Sequence, residues 1–193
     1  MWRILTGLIL GLSTLVGMQA SAMADEAAAW AALRQGGRVA LMRHADAPGG
    51  AGDPPGFRLD DCTTQRNLSA RGREDAKAVG ERLRTERVAV TKLLSSPWCR
   101  CVDTARLLNI GPIEIAPTFS NAFVLADRRP ALTAGARAVV GAWTGPGTLL
   151  VVTHGANIQA LAGVNADSGE IVVVEPRPDA SLRAVGRIPV SRR

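Results

Sequence analysis

The chain has no tyrosine, and phenylalanine with tryptophan makes up only 4% of it. A surface that stacks nucleic-acid bases needs aromatics interleaved with basic residues, and no such stripe is present. Lysine is scarce as well. The net charge of +6 is carried almost entirely by arginine, scattered without a block of like charge. No nucleic-acid partner is therefore expected, and most arginines read as a solvated surface. Cysteine occurs three times, histidine twice. The cysteines lack the paired ligand spacing of a zinc site, so neither a metal nor another cofactor is expected.

Long apolar runs are missing too. The N-terminal apolar stretch, Ile4 to Met18, is uncharged but falls short of the roughly 20 residues that span a bilayer. Arg3 precedes it, and Ala20-Ser21-Ala22 and Ala22-Met23-Ala24 offer small-x-small cleavage sites before Asp25-Glu26. Residues 1–24 thus read as a secretory signal, with an uncleaved anchor as the alternative. Residues 25–193 form the mature chain, periplasmic or secreted, with no stable membrane span after cleavage. About 170 residues suit one domain with its own core. In an oxidising compartment, three cysteines allow one bridge and leave one thiol. Cys99 and Cys101 are too close to pair easily with each other, whereas Cys62 could reach either.

Each histidine ends an apolar run: Val39-Ala40-Leu41-Met42-Arg43-His44, and Leu149-Leu150-Val151-Val152-Thr153-His154-Gly155. Such runs read as buried strands, and ligands bind beyond strand ends in open α/β sheets. A third run, Leu93-Leu94-Ser95-Ser96, leads through Pro97-Trp98-Cys99 to Arg100 on a first helical turn. Two histidines and two arginines at strand ends point to an anion pocket.

These motifs resemble the histidine phosphatase superfamily, also called phosphoglycerate-mutase-like. Arg43-His44-Ala45 stands where that family has Arg-His-Gly. Leu68, Ser69, Gly72 and Ala76 match its next marker. Ser95, Ser96, Pro97, Arg100, Thr104 and Ala105 fill every fixed position of the third, and Val152-Thr153-His154-Gly155 matches the last. The resemblance implies a phosphoglycerate-mutase-like α/β three-layer sandwich, its mostly parallel central sheet flanked by helices. It also implies that His44 attacks phosphorus to form a phosphohistidine, while Arg43, Arg100, His154 and Gly155 bind the phosphate and a cationic His154 stabilises the transition state.

The remaining elements follow from periodicity and punctuation. Helices are predicted over Ala27–Gln35, ended by Gly36-Gly37, and from a Ser69 cap to about Arg87, with Ala76, Val79 or Gly80, and Leu83 inward. Ser96 and Pro97 read as cap and first residue of the next helix, with Val102, Ala105 and Leu108 as its stripe. Further helices are expected over Ala131–Trp143, with Leu132, Val139 and Val140 inward, and over Asn157–Ala162, whose first amides would face the pocket. Strands are expected at Arg38–Met42, Lys92–Leu94, Ile113–Ala116 and Thr148–Thr153. A closing hairpin joins Glu170–Glu175 to Leu182–Ile188. Ala45 to Asn67, broken by glycine and proline, reads as a lid or rim with Cys62 as a tether.

Many members of the family carry a glutamate soon after the third strand, but Pro117 to Phe123 holds no carboxylate. Asp46, Asp60, Asp61 and Glu170 are the candidate proton donors, Asp46 preferred for its place two residues after His44. The expected activity is hydrolysis of a small phosphorylated substrate, such as an envelope sugar phosphate, without a metal. A non-catalytic phosphate-binding or envelope-interaction domain and a mutase-type phosphotransferase are the alternatives.

Overall fold

Alternating strand and helix signals place a sheet between helical layers, and the computed structural model has this arrangement. It describes residues 25–177, 179 and 181–190. The expected signal segment, 1–24, lies outside them, as do two residues of the hairpin connection. Six strands, β1 (Val39–Arg43), β2 (Val90–Ser95), β3 (Ile113–Ile115), β4 (Thr148–Thr153), β5 (Ile171–Pro176) and β6 (Leu182–Ile188), form one sheet in the order β3-β2-β4-β1-β5-β6. The β3-β2, β2-β4 and β4-β1 pairs are parallel, while β1-β5 and β5-β6 are antiparallel. The sheet is thus mostly parallel with a late antiparallel addition.

Five helices cover it: α1 over 25–35, α2 (Ala70–Thr85), α3 (Cys99–Leu108), α4 (Arg129–Gly141) and α5 (Gly155–Ala162). Period-two alternation divides the strands between two cores. Ala40, Met42, Leu150 and Val152 face Leu33 of α1, Leu83 of α2 and Leu108 of α3. Val39, Leu41, Leu149 and Val151 face Val140 of α4 and Ile158 of α5. Because β1, β4 and β5 are covered on both faces, their runs are continuously apolar. Helices α2 and α3 approach so closely that a Cβ on Gly80 would lie 2.1 Å from the carbonyl oxygen of Leu108.

Several boundaries and faces differ from expectation. Helix α3 begins at Cys99 with Trp98 as its cap, because the Ser96 hydroxyl lies 2.9 Å from Nε2 of His154 and the first helical amide, Cys99 N–H, donates to the Gln65 side chain instead. Val102 is only half-buried; the inner stripe of α3 runs through Cys101, Ala105 and Leu108. Helix α4 starts at Arg129, two residues early, and its inner face is the four-residue row Leu132, Ala136 and Val140, which leaves Val139 exposed. Helix α5 starts at Gly155, directly after His154.

Candidate active site

Parallel pairing brings the three predicted strand ends together. Arg43 of β1 pairs with Thr153 of β4, and Ser95 of β2 with Val152. The ladder continues one residue further, His44 N–H donating to the Thr153 carbonyl and Ser96 N–H to that of Val152. Thus His44, Ser96 and His154 leave adjacent strands at the same level. The imidazole centroids of His44 and His154 lie 5.5 Å apart, although the two residues are more than half the chain apart in sequence.

The His44 ring is fixed in one tautomer. Its Nδ1 lies 2.8 Å from the Ala45 carbonyl, which only accepts, so Nδ1 carries the hydrogen and Nε2 keeps its lone pair. Burial pushes its pKa down to about 3, against the opposing pull of the Ala45 hydrogen bond, and the charges of Arg100, Arg43 and Arg66 add to the depression. The imidazole is neutral, with Nε2 unprotonated. Ala45, the departure from Arg-His-Gly, is tolerated: its methyl is buried with Ala47, Leu68 and Ala76, and its N–H donates to Thr104 Oγ1.

Arg100 is buried on the first turn of α3, and its Nε donates to His44 Nε2 over 3.3 Å. Its Nη1 and Nη2 grip both oxygens of Asp53, at 2.6 and 3.2 Å, with both side chains fully covered. Asp53 also accepts from Trp98 Nε1 and the Arg66 amide. Burial alone would raise its pKa, but the hydrogen bonds and charge of Arg100, with the donors of Arg66 and Trp98, hold it below the usual carboxylate value. One edge of Arg100 is thereby fixed on Asp53, which leaves its Nε edge facing His44.

His154 is buried as well and touches Ser96 and Cys101, whose Sγ is 3.6 Å from Nε2. Burial foremost, then the charges of His44, Arg100, Arg43 and Arg66, lowers its pKa well below 6.5. His154 is therefore neutral in this structure, and the cationic form that the resemblance implies needs a negative charge beside it. Burial raises the Cys101 thiol to about 12, which leaves it protonated and unreactive.

Together these residues line a cavity of about 370 Å³, with Arg43, His44, Arg100, His154 and Gly155 as predicted, and Arg66, Asn121 and Phe123 in addition. Gly50, Ala51 and Gly52 also border it, so the long irregular segment does form the rim. The tether is a Cys62–Cys99 disulfide, with Cys101 as the free thiol. Among the described residues, the Nε atoms of Arg43 and Arg66 are buried without a hydrogen-bond partner. Donors of this kind fit the oxygens of a phosphate.

None of the four candidate acids lines this cavity. Asp46 accepts from the Ser69 hydroxyl over 2.6 Å and faces a neighbouring cleft of about 870 Å³ with Arg71, Asp75 and Asp167. Asp61 caps a 3-10 turn and pairs with Arg58, which also holds Asp60. Glu170 is buried against Arg187 and the Asp167 amide. Asp46 is preferred no longer, because Ser69 turns its carboxylate away. Sequence reasoning missed Asp53, Arg66, Asn121 and Phe123. All lie in segments without periodicity, and no local spacing distinguishes them.

The profile of the Histidine phosphatase superfamily (branch 1) matches residues 39–122. No curated protein matches the chain. Among solved structures it is similar to the protein histidine phosphatase SixA complexed with tungstate, at 18% identity over 78% of this chain and 96% of that one, with a TM-score of 0.56. It is also similar to the mycobacterial glucosyl-3-phosphoglycerate phosphatase, at 16% identity over 76% of this chain and 96% of that one, with a TM-score of 0.55. At these identities the likeness shows a shared fold.

Proposed function

We propose, from the premise that the chain belongs to the histidine phosphatase superfamily, that it hydrolyses a phosphomonoester through a phosphohistidine on His44. The observation that carries this reading is the His44 ring held with its hydrogen on Nδ1, so that the Nε2 lone pair faces a cavity lined by three arginines, one of which, Arg100, donates to it. Phosphoryl transfer needs an in-line nucleophile and positive charge around the equatorial oxygens. Nε2 attacks phosphorus while the bond to the leaving oxygen breaks, and water then cleaves the phosphohistidine to release phosphate. Arg43, Arg66 and Arg100 hold the oxygens together with the first amides of α5. A phosphate dianion beside His154 raises its pKa, so the imidazolium forms where the transition-state charge develops. The chemistry as written uses no metal.

Export belongs to the same proposal. The segment from Arg3 to Ala24 has signal-peptide character, and a disulfide suits an oxidising compartment. A phosphorylated envelope sugar is one such substrate; the SixA likeness brings a phosphorylated histidine side chain into the same class. A phosphate-binding domain without turnover is the second reading, favoured by the lack of a carboxylate among the cavity's lining residues. Phosphate release from a panel of phosphoesters, with protein expressed in the periplasm, separates the two. We expect turnover that EDTA leaves unchanged. No release from any ester supports the binding domain, and inhibition by EDTA with rescue by zinc contradicts the mechanism.

A further inference from the structure

Among the described residues, Phe123 is the most exposed of the large hydrophobics, at 52%, and the only exposed one that lines the catalytic cavity. In a chain this poor in aromatics, a ring left half in solvent at the mouth of a polar site is not required by the core. Its backbone is also held firmly. Buried Asn157 accepts from the Ala122 amide and donates to the carbonyls of Phe119 and Ser120. Asn121 Oδ1 accepts from the amides of Phe123 and Val124, and Arg129 Nε donates to the Ala122 carbonyl. The segment is therefore preorganised, and it presents a ring at the Gly50–Gly52 rim, where a Cβ added to Gly52 would lie 3.9 Å from it. Over the same cavity no lining residue offers a carboxylate. A ring without an acid suits a flat leaving group that stabilises its own charge.

We propose that the group released in this cavity is planar and aromatic or heteroaromatic, stacks on Phe123, and leaves phosphorus without a proton from the protein. This deepens the phosphatase reading and rests on it. As the His44 Nε2–P bond forms, the P–O bond breaks. Its electron pair departs with the aryloxide, which takes its proton from solvent.

The test compares phenyl phosphate with hexafluoroisopropyl phosphate, an aliphatic ester whose alcohol has similar acidity, so that stacking is separated from leaving-group chemistry. In the wild type, kcat/KM should favour the phenyl ester by roughly 3- to 10-fold, the range one aromatic pair supplies. Phe123→Ala should erase that ratio, mainly through KM, and Phe123→Trp should keep it. An equal loss on both esters, or an unchanged ratio in Phe123→Ala, overturns the proposal. Phosphoimidazole, run alongside, distinguishes a nitrogen from an oxygen leaving atom. If no ester turns over, the phosphatase reading fails. Calorimetric affinities of phenylphosphonate and cyclohexylphosphonate then decide: a phenyl preference lost in Phe123→Ala supports stacking, and none refutes it.

Discussion

Two neutral imidazoles in one buried site have a consequence for stability. His44 and His154 are both held from protonation in the folded protein, whereas in the unfolded chain they titrate near 6.5. Below that value the unfolded state binds more protons, so stability falls as the pH drops, by up to about 1.4 kcal/mol per pH unit for each histidine. Between pH 5 and 6.5 the carboxylates remain mostly ionised, so urea midpoints in that window isolate the effect. His154→Asn should flatten the slope by about one proton, and an undiminished slope would show that His154 is not held neutral. Sequence alone locates these histidines, because each closes an apolar strand. It does not give their charge state, which depends on how deeply neighbouring elements bury them. Asp53 was illegible for a related reason: its partner Arg100 is 47 residues away, and only the folded rim brings them together.

Periodic elements were legible and irregular ones were not. Strand β4 and helix α2 appear close to their expected bounds, Ser69 capping Gly72 as its sequence implies. Errors arose where tertiary contacts took over a local group, as at Ser96, whose hydroxyl serves His154 instead of α3. The rim segment shows the same rule at larger size. Ala45 to Asn67 has almost no regular structure, yet three ties fasten it to the start of α3: Asp53 to Arg100 and Trp98, Gln65 to the Cys99 amide, and Cys62 to Cys99. The disulfide spans a sequence separation of 37, which the chain-entropy model values at about 3 to 4 kcal/mol. A Cys62→Ser/Cys99→Ser double variant should lose that much in urea unfolding, and Cys101→Ser should keep the bridge in non-reducing mass mapping. A bridge from Cys62 to Cys101 in the wild type, or a double variant as stable as the parent, would contradict this arrangement.

The whole architecture serves one end of the sheet. Parallel β1, β2 and β4 deliver Arg43, His44, Ser96 and His154 to a common level, α3 supplies Arg100, and α5 begins there. Apart from Ser96, which reads as a helix cap, that half of the site was readable because its residues sit at fixed offsets from strand ends. The other half, Arg66, Asn121 and Phe123, arrives on connections whose paths are set by distant hydrogen bonds. In the proposed reaction Asn121 and Phe123 bear on which phosphorylated group is accepted, while the strand-end set and Arg66 bear on the chemistry. The most direct test of that chemistry is to quench the protein seconds after mixing with a 32P-labelled phosphoester and to measure label bound to the chain. The wild type should carry an acid-labile, base-stable label on His44, and His44→Ala should carry none and lose turnover by several orders of magnitude. Near-normal turnover in His44→Ala, or a label on another residue, would contradict it.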